Sequence, residues 1–233
     1  MMLITKKPWR FLASSMVMPL LYLVTFGWGL GRGMNIGGGS YLEFVLPGIL
    51  ALSAMNNSFS PVSTSLNISK LYTKTLEEVL VSPVSPVDIA LGRTLTGLVR
   101  GLFSALMLMV VGFIAGVHMH LSPFFFLMLA LTSFCFGAAG VAAAMIARTH
   151  EDMSNFNSFF IVPMSFLAGT FFSPDRLPQP FESLILVYPL THASLVLRAL
   201  AAGNSPSAGS MLVLGAYTAM FFYLAVRLVK KTG

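Results

Sequence analysis

Six stretches of the chain, 11–30, 42–66, 94–117, 124–147, 155–172 and 210–229, are apolar and of spanning length. About 20 helical residues at 1.5 Å each cross the ~30 Å hydrocarbon core of a bilayer. In that solvent a segment has to satisfy its own backbone hydrogen bonds, so each stretch is expected to be a helix. Apolar residues make up 56% of the chain and charged residues only 9%, which excludes an ordinary soluble domain. The fold class is therefore an all-α integral membrane protein with six transmembrane helices, built as one membrane domain over 1–233 without an evident internal repeat.

Charge gives the orientation. With an even number of spans both termini share a side. Placing them in the cytoplasm puts Lys6, Lys7, Arg10, Lys70, Lys74, Arg93, Arg100, Arg148, Arg227, Lys230 and Lys231 inside, and leaves Arg32, Arg176 and Arg198 outside. The first span follows a short basic segment without an A-x-A-like cleavage site, as a retained signal anchor does. A seventh apolar segment, 181–202, carries Glu182, Pro189, His192 and Arg198. It is expected to lie in a short outer re-entrant hairpin, 173–206, because mid-bilayer burial of an arginine costs about 2.5–3.5 kcal/mol and an internal proline breaks a helix.

The residues for chemistry are missing. None of the six lysines follows a glycine, so no G-x-x-x-x-G-K-[ST] phosphate loop is present. The glycines between Gly27 and Gly39 read as an outer turn. Glu43, Glu151 and Asp152 lack an evident catalytic partner. Cys135 is the only cysteine, and His118-x-His120 is two ligands short of a structural metal site. No catalytic residue, metal site or resident cofactor is expected. The net charge of +6 sits beside apolar runs and without interleaved aromatics, so it reports topology and no nucleic-acid surface.

Polar residues within the spans are neutral. Asn56, Ser60, Ser63 and Asn67 form one face of the second span, and Ser158 and Ser165 lie on a thinner polar line in the fifth. Such a face lines a substrate path or makes interhelical hydrogen bonds worth about 0.6 kcal/mol each, and both readings stand. Gly97-x-x-x-Gly101, Gly112-x-x-x-Gly116 and the small residues from Gly137 to Ala144 favour close helix packing within the subunit over a subunit interface.

The longest polar island is 69–93. Lys70, Lys74, Glu77 and Glu78 fall on one side of a short helix and Tyr72, Leu76, Val79 and Leu80 on the other. Thr75-x-x-Glu78 predicts a capping box, Ser82-Pro83 a stop, and Ser85-Pro86-x-Asp88 the start of the next helix. The island is shaped as a docking surface through which a partner supplies the energy this chain cannot.

Three segments resemble the permease subunits of the type-two ATP-binding-cassette (ABC) exporter family: TLEEVLVSPVSP from Thr75, YLEFVLPGIL from Tyr41, and AGTFFSPDRLPQPFESLILVYPLTHASLVLRAL from Ala168. Where the family often has Arg-Glu-x-Gly before the first of these, this chain has Leu71, Tyr72, Thr73 and Lys74. The resemblance implies six spans, a cytoplasmic coupling helix within 69–93 and outer helices before the last span. Tyr72, Leu76, Glu77, Glu78, Leu80, Ser82 and Pro83 would face an ATPase. Phe172, Pro174, Leu177, Pro178, Pro189, Leu190, Thr191 and Arg198 would shape an outer gate. It also implies two ATPase subunits, which bind ATP and Mg, beside two permease copies in the cytoplasmic membrane. The expected cargo is amphipathic, lipid-linked or glycan-like, or a drug. An ion-driven transporter and a membrane assembly factor are the alternatives.

Overall fold

In the computed structural model, residues 39–172 and 178–232 are described, with the isolated positions 17, 21, 24, 25, 35 and 36. The expected first span, most of the glycine-rich turn, Pro174 and Leu177 lie outside the described residues. The described chain is helical apart from one antiparallel rung, Asn35–Ile36 against Gly39–Ser40.

Helix α1, Tyr41–Leu71, is the centre of the fold. Its start is a capping box: the Leu42 amide donates to Ser40 Oγ and Glu43 Oε2 accepts from the Ser40 amide at 3.1 Å. Glu43 is thus a cap. At about 46 Å of rise, α1 exceeds the ~30 Å core and carries its last turns beyond the expected span. It is buried on all sides from Val45 to Met55, and on one side beyond that through Phe59 and Leu66.

Helix α2, Thr75–Val81, follows, and a bend leads into α3, Pro86–Ile114. Helix α4, Pro123–Ile146, runs back beside it. Helix α3 starts as its sequence predicts and α4 starts in the same way, with a serine accepting from the amide three residues on and proline in the first turn: Ser85 from Asp88 and Ser122 from Phe125. The capping box expected at Thr75 does not form. Helix α2 begins one residue earlier, with Lys74 as N-cap in the left-handed region at φ 52°, while the Thr75 hydroxyl pairs with that of Thr73. The reversal after α1 takes up the position that a capping threonine would need.

Small residues let α1, α3 and α4 meet closely. A Cβ on Gly97 would stand 2.9 Å from the Gly137 Cα, and one on Gly101 2.0 Å from Ser58 Oγ. Ser58 donates to the Gly97 carbonyl at 3.0 Å, and the Ser53 and Ser104 hydroxyls pair at 2.9 Å. These glycines pack within the subunit.

The fifth apolar stretch departs from its expected 155–172. It is helical from α5, His150–Phe156, through a π-turn at Asn157–Ile161, to α6, Val162–Leu167. Thr149 and Asp152 form a capping box that starts it early. Pro163 lacks an amide for the preceding turn, and the wider π-turn accommodates it, with the Val162 amide bonded to the Asn157 carbonyl. Gly169, at φ +68°, lies beyond the helix end.

The described part of the expected outer hairpin contains two helices, α7, Gln179–Ile185, and α8, Pro189–Ala201, with Pro189 opening the second. Helix α9, Ala208–Thr232, closes the chain. By length and composition, α3, α4 and α9 can cross a membrane among the described residues. The Phe134 and Phe222 rings lie 5.6 Å apart, and Leu224 shares a cavity wall with Ala142, Ala143 and Ile146. Helix α9 therefore ends where α4 ends. Lys70, Lys74, Arg148, Lys230 and Lys231 gather at that basic end, and Arg198 lies at the other.

Candidate functional site

Helix α2 stands at the basic end, held between the last turn of α1 and the Ser82–Ser85 bend. Tyr72 is 67% exposed and Val81 88% exposed, and Glu77, Glu78 and Pro83 are also on the surface. Leu76 is buried at 2% exposure, and Leu80 packs half-buried beside the core. Leu76 therefore anchors the helix from beneath and offers no surface to a partner in this conformation. Ser82 turns its hydroxyl back to the Val79 carbonyl at 2.5 Å and closes the helix. The remaining surface is mixed: two carboxylates and two exposed valines on a seven-residue helix, with the Tyr72 ring just before it. Val81 was not singled out by periodicity, because its exposure depends on where the helix stops.

The neutral polar face of α1 divides in the structure. Ser60, Ser63 and Thr64 line a cavity of about 170 Å³ with His150, Met153, Ser154 and Asn157. Asn56 is half-buried, whereas Asn67 is buried and its Oδ1 lies 3.4 Å from His150 Nδ1. Ser158 is exposed, and Ser165 is buried with its hydroxyl donated to the Ile161 carbonyl. The structure thus brings Ser60 and Ser63 to a polar recess and leaves Ser158 and Ser165 out of it. An apolar cavity of about 320 Å³ lies on the far side of the 150–161 helix, walled by Phe59, Phe136, Phe156, Phe160 and Phe221.

The opposite end is organised by Arg198. Its Nε donates to the Phe44 carbonyl at 3.1 Å and its Nη1 to the Phe172 carbonyl at 3.3 Å. The Nη2 donates to the Thr170 carbonyl, and the guanidinium sits 4.0 Å above the Phe44 ring. A Cβ at Gly48 would come within 2.5 Å of that same Thr170 carbonyl, so glycine makes room for the contact. Tyr41 adds a hydroxyl bond to the Phe171 carbonyl at 2.9 Å. Three positively directed donors on one rigid fork satisfy carbonyls at the start of α1 and in the 170–172 turn.

The hairpin around it is tied the same way. Thr191 donates to the Ile185 carbonyl at 2.7 Å, His192 Nε2 lies 2.8 Å from the Leu186 carbonyl, and Tyr217 of α9 donates to the Val187 carbonyl at 2.6 Å. Pro189, Leu190 and Thr191 are buried, Phe172 is half-buried, and Pro178 is exposed. Tyr217 emerges only in three dimensions: its partner lies 30 residues away on another element. Among the described residues no group of three His, Cys, Asp or Glu side chains is placed to hold a metal. His118 and His120 belong to the turn before α4, where the His120 amide donates to the Ala201 carbonyl at 2.8 Å.

The apolar helices agree with what related sequences show. A family model described as ABC-2 type transporter matches residues 1–201. The inner membrane transport permease YadH of Escherichia coli K12 is 30% identical over 174 residues, covering 74% of this chain and 68% of that protein. Nodulation protein J of Rhizobium meliloti is 30% identical over 220 residues, covering 91% and 83%, and that of Sinorhizobium fredii 28% identical over 213 residues, covering 88% and 81%. The chain is a membrane protein with apolar helices, and it belongs to the ABC-2 type transporter family.

Proposed function

We propose that this chain is the permease subunit of an exporter in the cytoplasmic membrane, driven by a separate ATPase that docks on α2. The observation that carries this reading is the exposed seven-residue helix between the two longest helices among the described residues, with Leu76 alone among its residues fully buried. A partner pressing on α2 would move α1 and α3 together, because neither link to α2 exceeds four residues. Family membership supports the partner: ABC-2 permeases generally pair with a cytoplasmic ATPase subunit. In this reading the basic end faces the cytoplasm, in keeping with the positive-inside bias, and six spans leave both termini there. ATP and Mg belong to the ATPase, and the working unit holds two ATPases and two permease copies.

Tyr72, Glu77, Glu78, Ser82 and Pro83 form the docking surface of this proposal, with Val81 added and Leu76 as its buried support. Ser60 and Ser63, in their polar recess, are the strongest candidates for contact with cargo, and Asn56 extends the same face. Phe172, Pro178, Pro189, Leu190, Thr191 and Arg198 would frame the outer gate. The cargo is an amphipathic, lipid-linked or glycan-type molecule or a drug, since the described outer segments offer no domain to capture a soluble one.

The test is purification of the tagged chain from its native membrane in mild detergents, followed by an ATPase assay. A co-purifying ATPase that is lost in the Tyr72→Ala, Glu77→Arg double variant, with thermal unfolding of the permease unchanged, is the expected result. An ATPase absent in every detergent, or one retained undiminished by the double variant, overturns the reading.

A further inference from the structure

The last turn of α1 grips a second part of the basic end. Lys70 Nζ donates to the Met145 carbonyl at 2.6 Å and to the Ala147 carbonyl at 2.9 Å, with the Ala144 carbonyl at 3.5 Å. Carbonyls in the last turn of α4 have no later helical amide to accept from, and an ammonium there also meets the negative end of the helix dipole. One turn earlier on α1, Asn67 Oδ1 approaches His150 Nδ1 at 3.4 Å. The segment between these contacts is short and stiff: the Arg148 and Thr149 amides both donate to Asp152 Oδ2, at 2.8 and 3.1 Å, and the Asp152 amide returns to the Thr149 hydroxyl. Lys70 thus holds the end of α4, and Asn67 holds the first residue of α5.

We propose that Lys70, assisted by Asn67, is a positioning residue that locks α2 and the α4–α5 turn into one moving body. Lys70 lies four residues before the N-cap of α2, so displacement of α2 displaces its ammonium and the carbonyls bonded to it. The push reaches α4 and the π-turned α5–α6 helix directly, in addition to the covalent route through α3. This matters because the wall of the polar recess is shared between α1 and α5: Ser60, Ser63 and Thr64 on one side, His150, Ser154 and Asn157 on the other. With the lock in place, a movement of α2 carries both walls. Without it, the α1 wall moves alone. Lysine suits the task because one ammonium has three donors for three carbonyls, which a neutral side chain of equal length lacks.

The inference rests on the permease reading for its purpose, but the lock is testable on the permease alone. Spin labels are placed on Thr75→Cys in α2 and Glu151→Cys in α5, both exposed and outside the proposed docking surface, in a Cys135→Ala background reconstituted in lipid vesicles. A single narrow distance distribution is expected, lost to a broad one in Lys70→Met and recovered in Lys70→Arg. Size-exclusion profiles confirm that each variant is folded; should Lys70→Met fail to fold, Asn67→Ala replaces it. In the complex with the co-purified ATPase, ATP with vanadate should leave the 75–151 distance unchanged in the labelled chain that keeps Lys70 and shift it in Lys70→Met. A distribution that is equally narrow in Lys70→Met, or in Asn67→Ala when that variant stands in, overturns the lock whether or not an ATPase is found. Absence of the ATPase overturns the permease reading and leaves the vesicle result standing.

Discussion

At the end that carries Tyr41, Phe44 and Arg198, the long polar side chains turn inward and finish on backbone carbonyls. At the end that carries Tyr72, Glu77 and Val81, the side chains of α2 turn outward and only Leu76 is sunk. The difference lies in what is being held. The α7–α8 hairpin is tied through Arg198 to the 170–172 turn, whose carbonyls have no helical ladder, and in a membrane such groups need protein donors. The seven-residue helix α2 leaves most of its side chains exposed and is held through Leu76. One end is closed by hydrogen bonds, and the other is open for contact.

That contrast can be broken at the outer end first. Arg198→Leu should leave the Phe44, Thr170 and Phe172 carbonyls without their donor at a cost of about 3 kcal/mol or more, because each unsatisfied buried group costs roughly 1–3 kcal/mol. Thermal unfolding in detergent measures it. Arg198→Lys should recover only part, since an ammonium cannot reproduce the planar fork over the Phe44 ring. Equal stability of Arg198→Leu and the native chain would mean that the hairpin is not held by these bonds.

A smaller effect is expected from Leu76→Ala, about 2 kcal/mol, at the low end for a buried leucine because a short surface helix can settle into the space. Limited proteolysis across 72–85 should speed up before global unfolding changes. If cutting there is unaltered, α2 is pinned by something other than Leu76, and the contrast between the two ends loses its simplest cause.

The smallest effect is a pH dependence at the basic end. The Arg148 amide, then the Thr149 amide and hydroxyl, hold the Asp152 carboxyl below its ordinary range. A depressed carboxylate contributes stability above its unfolded pKa of about 3.9, and that contribution is lost as pH falls through the lower folded value. Amide exchange over 149–157 should therefore quicken on acidification, and Asp152→Asn should flatten the dependence. Lys70 shifts in the same direction for a different reason: burial, then the charge of Arg148, lowers its pKa, so its ammonium is favoured less in the folded protein than in the unfolded chain and its contribution to stability also rises with pH, in the lysine range. An unchanged profile in Asp152→Asn would assign the pH response to another group.

Much of this was legible in the residues. The starts of α3 and α4 follow from Ser-Pro pairs, and α3, α4 and α9 fall close to their apolar runs, because caps and hydrophobic length are local properties. The Gly97 and Gly101 contacts also read correctly, since small residues at that spacing serve close packing. The fifth stretch was misjudged at both ends. Thr149-x-x-Asp152 is itself a visible capping signal, but the apolar run begins later and masked it. Thr75 failed for the converse reason: its local signal was sound, and the tight reversal after α1 displaced it by one residue. The capping box at Ser40 and Glu43 was likewise written in the sequence and passed over.

Length, apolarity and charge placement were enough to determine that this is a helical membrane chain with a polar island at its basic end, because each depends only on the solvent around a segment. Which of the island's apolar residues is buried, which carbonyls receive Lys70 and Arg198, and which serines share a recess were decided by the tertiary structure alone. Those partners are separated by up to 154 positions, as Phe44 is from Arg198. No local period encodes a side chain that seeks the unpaired carbonyls of another element; only the packing that leaves those carbonyls unpaired creates its partner.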